Sequence, residues 1–237
     1  MPFFSFLSRA IPVAGLALLC LTTVAQAPAS PSAAPAVATQ VALPGFACYE
    51  ARFSPLRSPT LHIADQFGRR TTTLAAAVSY CTPAVAQGVP SGASVHLACH
   101  SLADRALSPV ALQVSEPFGK LRATLVGAQS LCVPASVTTG GGLAAPPTGL
   151  DDYACYAVGA QAVTARSLSV GDRAGRVVSV CAPASVDGSR LYQRALLVCH
   201  ELISEARARP AIVRSRFALL KASPGLRRQL CVPSSRL

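Results

Sequence analysis

Tryptophan and asparagine are absent from this 237-residue chain, lysine occurs only as Lys120 and Lys221, and aromatic residues make up 5%. With no Trp and few Phe or Tyr, a core must be built from Val, Leu and Ala. Ala buries little apolar area, so at roughly 25 cal/mol per Å2 such a core is marginal without covalent support. The scarcity of Lys and Asn beside abundant Ala, Pro and Arg reads as a GC-rich coding bias. The formal net charge of +11 therefore describes a generally basic, solvated surface before it describes a binding face. No specific nucleic-acid partner is expected. Long apolar runs are also missing beyond the N-terminal segment, so nothing after it has the length to cross a bilayer as a helix.

Residues 1–27 read as a secretory signal peptide. Arg9 supplies the positive end, Ile11 to Ala25 the apolar stretch, and Ala25-Gln26-Ala27 the small-residue cleavage site. Cleavage there leaves Pro28 first, so a cut after Ala25 is one alternative and a retained membrane anchor another. Leu19 stands where a lipoprotein built on Cys20 needs a small residue. Removing the segment removes Cys20 and leaves eight of nine cysteines. An even number suits an oxidising destination: secreted, periplasmic or at the cell surface. Residues 28–45 follow as an Ala/Pro-rich linker without hydrophobic periodicity.

Against these absences stands one repeated pattern. Tyr80-Cys81-Thr82-Pro83, Leu131-Cys132-Val133-Pro134, Val180-Cys181-Ala182-Pro183 and Leu230-Cys231-Val232-Pro233 are four copies of Cys-x-Pro. Each closes a unit that opens on Cys48-Tyr49, Cys99-His100, Cys155-Tyr156 or Cys199-His200, at cysteine spacings of 33, 33, 26 and 32. Odd units carry Cys-Tyr and even units Cys-His, which superimposes a two-unit period. The Gly/Pro-rich stretch 138–151 separates the pairs, predicting repeat domain 1 over 46–137 and repeat domain 2 over 152–237. Thr60 to Ala64, Val110 to Val114 and Lys120 to Val126 carry the short aliphatic or alternating runs of strands. The expected class is all-β: two tandem β-sandwich or barrel-like domains of two disulfide-stapled units, about four strands per unit. Pro after each closing cysteine is expected to stop the last strand. Leu191 to Arg209 has helical propensity, and equivalence to Val95 to Asp104 draws it towards strand.

Cys-Tyr, Asp65-Gln66-Phe67-Gly68 and Leu-Cys-Val-Pro-[Ala/Ser]-Ser together resemble the repeats of uncharacterised secreted bacterial proteins that form a domain of unknown function. The resemblance covers about 46–237. Glu116-Pro117-Phe118-Gly119 and Asp172-Arg173-Ala174-Gly175 are degenerate copies of Asp-Gln-Phe-Gly, and unit four keeps little of it. The resemblance implies export and repeat architecture and brings no activity, cofactor or site residue.

The chemistry-bearing residues have simple structural readings. Eight cysteines allow 105 pairings. Repeat equivalence makes Cys48–Cys81, Cys99–Cys132, Cys155–Cys181 and Cys199–Cys231 the economical choice, with Cys81–Cys99 or Cys132–Cys155 as the pairs that would overturn it. Each such loop stabilises by roughly 3–4 kcal/mol in the chain-entropy picture. Zinc would need reduced cysteines, and Cys-His neighbours on a strand face opposite ways, so no metal or other cofactor is expected. His62 and His96 have no evident partner, no Gly-x-Ser-x-Gly elbow exists, and Asp151-Asp152 reads as a solvated cap, so no catalytic residue is assigned. In the Arg-rich second domain Arg214, Arg216, Arg227 and Arg228 form the candidate set for binding a polyanion or a lipid headgroup, with Arg214 and Arg216 on one face of a strand. The reading is a secreted or envelope-associated non-catalytic binding or structural module. Its partner is a cell-envelope component or acidic polymer, and the rival is a secreted hydrolase-like enzyme whose site only the fold assembles.

Overall fold

A computed structural model of the chain describes residues 43–51, 58–84, 95–140, 142, 144–159, 166–167, 173–223 and 225–237. The segment read as a signal peptide, and the linker as far as Ala42, lie outside the described residues. The described residues are all-β, and the helical propensity of 191–209 is overridden by a strand over Leu196–Ile203. In an Ala-poor stretch such as Leu-Leu-Val-Cys, pairing on both edges outweighs propensity.

Each unit is an opening strand, a hairpin and a long closing strand. Unit one has β1 (Gly45–Glu50), β2 (Thr60–Asp65) and β3 (Gly68–Ala84); unit two has β4 (His96–Leu102), β5 (Val110–Glu116) and β6 (Gly119–Thr138). Unit three has β7 (Asp152–Val158), β8 (Arg166–Ser167) and β9 (Arg173–Val186). Unit four has β10 (Leu196–Ile203), β11 (Ala211–Ser215), β12 (Leu219–Ala222) and β13 (Arg227–Arg236). Among the described residues, three of the units thus hold three strands rather than four, because the closing strand is one long element.

Opening strands and the later parts of closing strands pair antiparallel in the cycle β1, β3, β4, β6, β7, β9, β10, β13 and back to β1, an eight-stranded closed barrel. Within units the cysteines are directly opposite, as in Cys48↔Cys81 and Cys99↔Cys132. At unit boundaries the register slips by two, so that Cys81 faces Leu97, Cys132 faces Tyr153, Cys181 faces Leu197 and Cys231 faces Phe46. Two residues at each of four boundaries give a shear of eight, and a barrel of eight strands with that stagger has an interior that side chains can fill.

The expected pair of separate domains is not what this topology gives. β6 pairs with β7, β13 pairs with β1, and residues 39–237 form one compact unit. Two units supply only four barrel strands, half a cylinder with two open edges, and the other two units cover those edges.

The hairpins make an outer layer. The closing strands carry register shifts between Leu74 and Ser79 in β3 and between Leu125 and Ser130 in β6, the bulges at which a strand bends. Hairpin β2–β3 reaches the end of β9 through Ile63↔Val186, β5–β6 reaches β13 through Ser115↔Ser235, and β11–β12 reaches β6 through Val213↔Val137. Each therefore crosses to the unit two places along. A buried core of Leu61, Ile63, Leu74, Leu112, Val114, Leu125, Val133, Val198, Val213 and Val232 lies between barrel and hairpins.

Proline does not stop the strands as expected: β3, β6, β9 and β13 all run on past it. The Cα–Cα separations of 3.8–4.0 Å at the cystines mark non-hydrogen-bonded pairs within units. The N–H groups of Cys and Pro then point to the unit boundary. There, two residues beyond the last cysteine, the neighbouring strand has not yet begun, so the missing proline donor breaks no ladder bond.

Candidate functional site

Strand alternation turns each four-residue opening, Phe46-Ala47-Cys48-Tyr49 and its three equivalents, into a division of labour. The first and third residues face the barrel lumen; the second and fourth face the outer core. In Cys-x-Pro, Cys and Pro face inwards and the middle residue outwards. The lumen is therefore layered.

At one end Phe46, Leu97, Tyr153 and Leu197, all at most 2% exposed, sit opposite Pro83, Pro134, Pro183 and Pro233 and stopper the barrel. Leu43 joins this plug, so the folded part begins three residues before the domain start expected at 46. Burial raises the Tyr153 hydroxyl pKa, and its oxygen has no partner among the described residues.

The middle layer is cysteine. The structure pairs the eight within units, Cys48–Cys81, Cys99–Cys132, Cys155–Cys181 and Cys199–Cys231. Such a set belongs to a chain that matured in an oxidising environment. Neighbouring cystines also touch: Sγ atoms lie 3.8 Å apart for Cys48 and Cys231, 3.8 Å for Cys81 and Cys99, 3.6 Å for Cys132 and Cys155, and 3.9 Å for Cys181 and Cys199. Eight sulfurs thus close a ring in which bonds and contacts alternate.

Beyond the ring the register brings Ser79, Ser130, Ser179 and Gln229 to the lumen, facing Glu50, Ser101, Ala157 and Glu201 on the paired strands. This end is a chamber of about 270 Å3 whose lining mixes apolar groups (Val78, Leu97, Leu197 and all eight cysteines) with Ser79, Ser101, Ser130, Ser179, Gln129, Gln229 and Arg105. No internal hydrogen bond engages the side chains of Ser79, Ser130, Ser179, Gln129 or Gln229 among the described residues. Salt bridges flank the mouth, Arg228 to Glu50 at 3.2 Å and Arg176 to Glu201 at 3.3 Å. No His, Asp or Glu belongs to the lining among the described residues. A site with hydroxyls, amides and one guanidinium can orient a polar guest; it has no proton-transfer pair.

Outside the wall, the residues after the opening cysteines hold the hairpins down. Tyr156 donates to Asp65, and Arg70 bonds both and lies 4.7 Å over the Tyr156 ring. Burial and the Asp65 charge raise the Tyr156 pKa, while Arg70 opposes them. His200 Nε2 lies 2.8 Å from Glu116 Oε2. The tip phenylalanines meet these rings edge to face: Phe67 on Tyr156, Phe118 on His200 and Phe217 on His100. Asp-Gln-Phe-Gly is thus a clasp, and Cys-Tyr or Cys-His is its socket. The unit-four copy that sequence reasoning missed is Ser215-Arg216-Phe217-Ala218. Ser215 Oγ accepts from Phe217 N at 3.3 Å, as Asp65 Oδ1 accepts from Phe67 N at 2.8 Å. An acceptor two residues before Phe was the available signal. Asp172 of the unit-three copy lies outside the described residues.

Three other expectations are corrected. Asp151 and Asp152 are buried rather than solvated: Asp151 accepts from the backbone N–H groups of Tyr192 and Gln193, and Asp152 Oδ2 lies 2.6 Å from Arg216 Nη2. Desolvation pushes the Asp152 pKa up to about 6 against the pull of Arg216. His62, read as partnerless, has Nδ1 2.9 Å from Thr71 Oγ1. The candidate arginines do not converge. Arg214 is exposed on β11 opposite Ser136, whereas Arg216 has left the strand for Asp152. At the chamber end Arg227 bonds Tyr49 Oη at 3.3 Å and Arg228 pairs with Glu50. Three of the four have internal partners, while the Arg216 and Arg228 side chains stay 41% and 50% exposed.

No family model, curated protein or solved structure matches the chain.

Proposed function

We propose that the protein is an exported, non-catalytic binding module whose barrel lumen receives one small, hydroxyl-rich group of a cell-envelope component, and that it belongs with the secreted bacterial repeat proteins its motifs resemble. The observation that carries this reading is the chamber. Ser79, Ser101, Ser130, Ser179, Gln129 and Gln229 present donors and acceptors to a space of about 270 Å3, a little below the usual range for drug-sized ligands. Uncharged donors and acceptors in pairs are the chemistry that recognises hydroxyls, since each can both give and receive. The opposed charges at the mouth, Arg228 with Glu50 and Arg176 with Glu201, cancel in pairs and leave Arg105 as the one charged side chain of the lining among the described residues. A single cation among hydroxyls and amides suits a neutral or singly charged group better than the acidic polymer to which the arginine content points.

The disulfides and the signal-like residues 1–27 support export. Saturation-transfer NMR with monosaccharides and short oligosaccharides tests the proposal. Transfer to a hydroxylated ring, reduced at least tenfold in affinity by Ser130→Leu together with Gln229→Leu, is expected. Transfer that survives both substitutions, or its absence across the panel, sinks the reading. The polyanion version predicts instead that heparin retention is lost in an Arg214, Arg216, Arg227 and Arg228→Ala variant.

A further inference from the structure

Each sulfur of the lumen ring has two sulfur neighbours, one bonded and one 3.6–3.9 Å away. The non-bonded distances stand a few tenths of an ångström outside the roughly 3–3.5 Å separation of reacting atoms poised for attack. The two-residue stagger at each boundary sets the non-bonded cysteines diagonally across neighbouring strands on the same face, within side-chain reach. The same eight sulfurs can therefore be joined in two complete ways, within units or between units. All eight border the chamber, and Cys132 at 6% and Cys231 at 5% are the most exposed.

We propose that this ring is a thiol–disulfide exchange site, at which one dithiol introduced by a small thiol in the chamber moves around the barrel and converts within-unit cystines into between-unit cystines. The steps balance. A thiolate RS⁻ attacks Cys231 Sγ, forming a mixed disulfide and freeing the Cys199 thiolate. A second RS⁻ attacks the mixed disulfide, leaving as RSSR and releasing Cys231, which takes up a proton. Two electrons have now entered the ring.

Cys199 then attacks Cys181, forming Cys181–Cys199 and releasing the Cys155 thiolate. Cys155 attacks Cys132, forming Cys132–Cys155 and releasing Cys99; Cys99 attacks Cys81, forming Cys81–Cys99 and releasing Cys48. Each step exchanges one sulfur–sulfur bond for another and passes on one thiolate, without net redox change. Cys48 and Cys231 remain as the last pair, 3.8 Å apart. They return two electrons to RSSR by the reverse of the entry steps, forming Cys48–Cys231 and regenerating two RS⁻. In the product every unit boundary, β1 to β13 included, carries a covalent link.

The test uses the whole oxidised protein at pH 8 with reduced and oxidised glutathione, quenched by alkylation and mapped as non-reduced peptides. The expected products are Cys81–Cys99, Cys132–Cys155, Cys181–Cys199 and Cys48–Cys231 peptides, with intermediates whose two alkylated cysteines belong to different units. Only within-unit peptides, with both alkyl groups always in one unit, would overturn the proposal. So would linkages between cysteines that are not ring neighbours, such as Cys48–Cys132, since those require unfolding. In a Cys99→Ala/Cys132→Ala variant the reduced Cys199 and Cys231 can still attack their other neighbours, Cys199 taking Cys181 and releasing Cys155, and Cys231 taking Cys48 and releasing Cys81. Cys181–Cys199 and Cys48–Cys231 peptides should therefore form while no link joins Cys81 to Cys155. If that variant does not fold, the mapping of the unmodified protein decides alone.

Discussion

Two buried titratable residues bias stability in opposite directions. Desolvation lifts the folded Asp152 pKa from 3.8 to about 6, so between these values the folded state binds more protons than the unfolded one. Its contribution falls as pH rises through that window, by about 3 kcal/mol at most. Asp151, also raised by burial, acts in the same sense. His100, walled in under Phe217, has its pKa lowered from 6.5 to about 4. There the unfolded state binds more protons, and stability is lost as pH falls from 6.5 towards 4. The two slopes oppose. In urea titrations, His100→Phe should become less stable from pH 4 to pH 6 and Asp152→Asn more stable over the same range; parallel profiles for both would contradict the assignment. Neither residue advertised this. Asp151-Asp152 follows a Gly/Pro-rich stretch and looks solvated, and the partner Arg216 is 64 residues away.

At the scale of the element, the hairpins are fastened at their tips to sockets in other units, and their bases are continuous with the barrel strands. Truncating a tip ring should therefore loosen one hairpin and spare the wall. For Phe118→Ala, partly buried against His200, the expected loss is about 1–3 kcal/mol. Amide exchange should accelerate across 110–126 while Leu131 to Val133 stays protected; uniform acceleration would mean that the layers unfold together. Much of this layer was legible. Alternation in 110–114 and 120–126 gave the strands, and Phe-Gly gave the turn, where Gly68 and Gly119 adopt φ of 136° and 132°. Unit four was hidden because Ser215 and Ala218 replace both the acid and the glycine. The prolines misled because their cost depends on where the neighbouring strand starts, which the local sequence does not state.

For the whole molecule, the cysteine spacings carried the within-unit pairing, but nothing local reveals that β1 closes on β13. That contact spans almost the entire folded chain, and only completion of the cylinder makes it favourable. A fragment of 43–137 or of 152–237 has four barrel strands and two bare edges. Each alone should lack dispersed amide NMR signals, and an equimolar mixture of the oxidised fragments should regain the spectrum of the intact chain. Independent folding of either fragment would restore the two-domain division that the Gly/Pro stretch suggested.

The stopper of Phe46, Leu97, Tyr153, Leu197 and four prolines has a consequence for what the lumen can meet. A cylinder blocked at one end is a cup and not a channel. Whatever enters leaves by the same mouth, and nothing is conducted through. A polymer can present only its terminus, because an internal residue would need its chain to continue through the plug. For the binding role proposed above, occupancy should then follow the number of chain termini in the surroundings and not the mass of polymer.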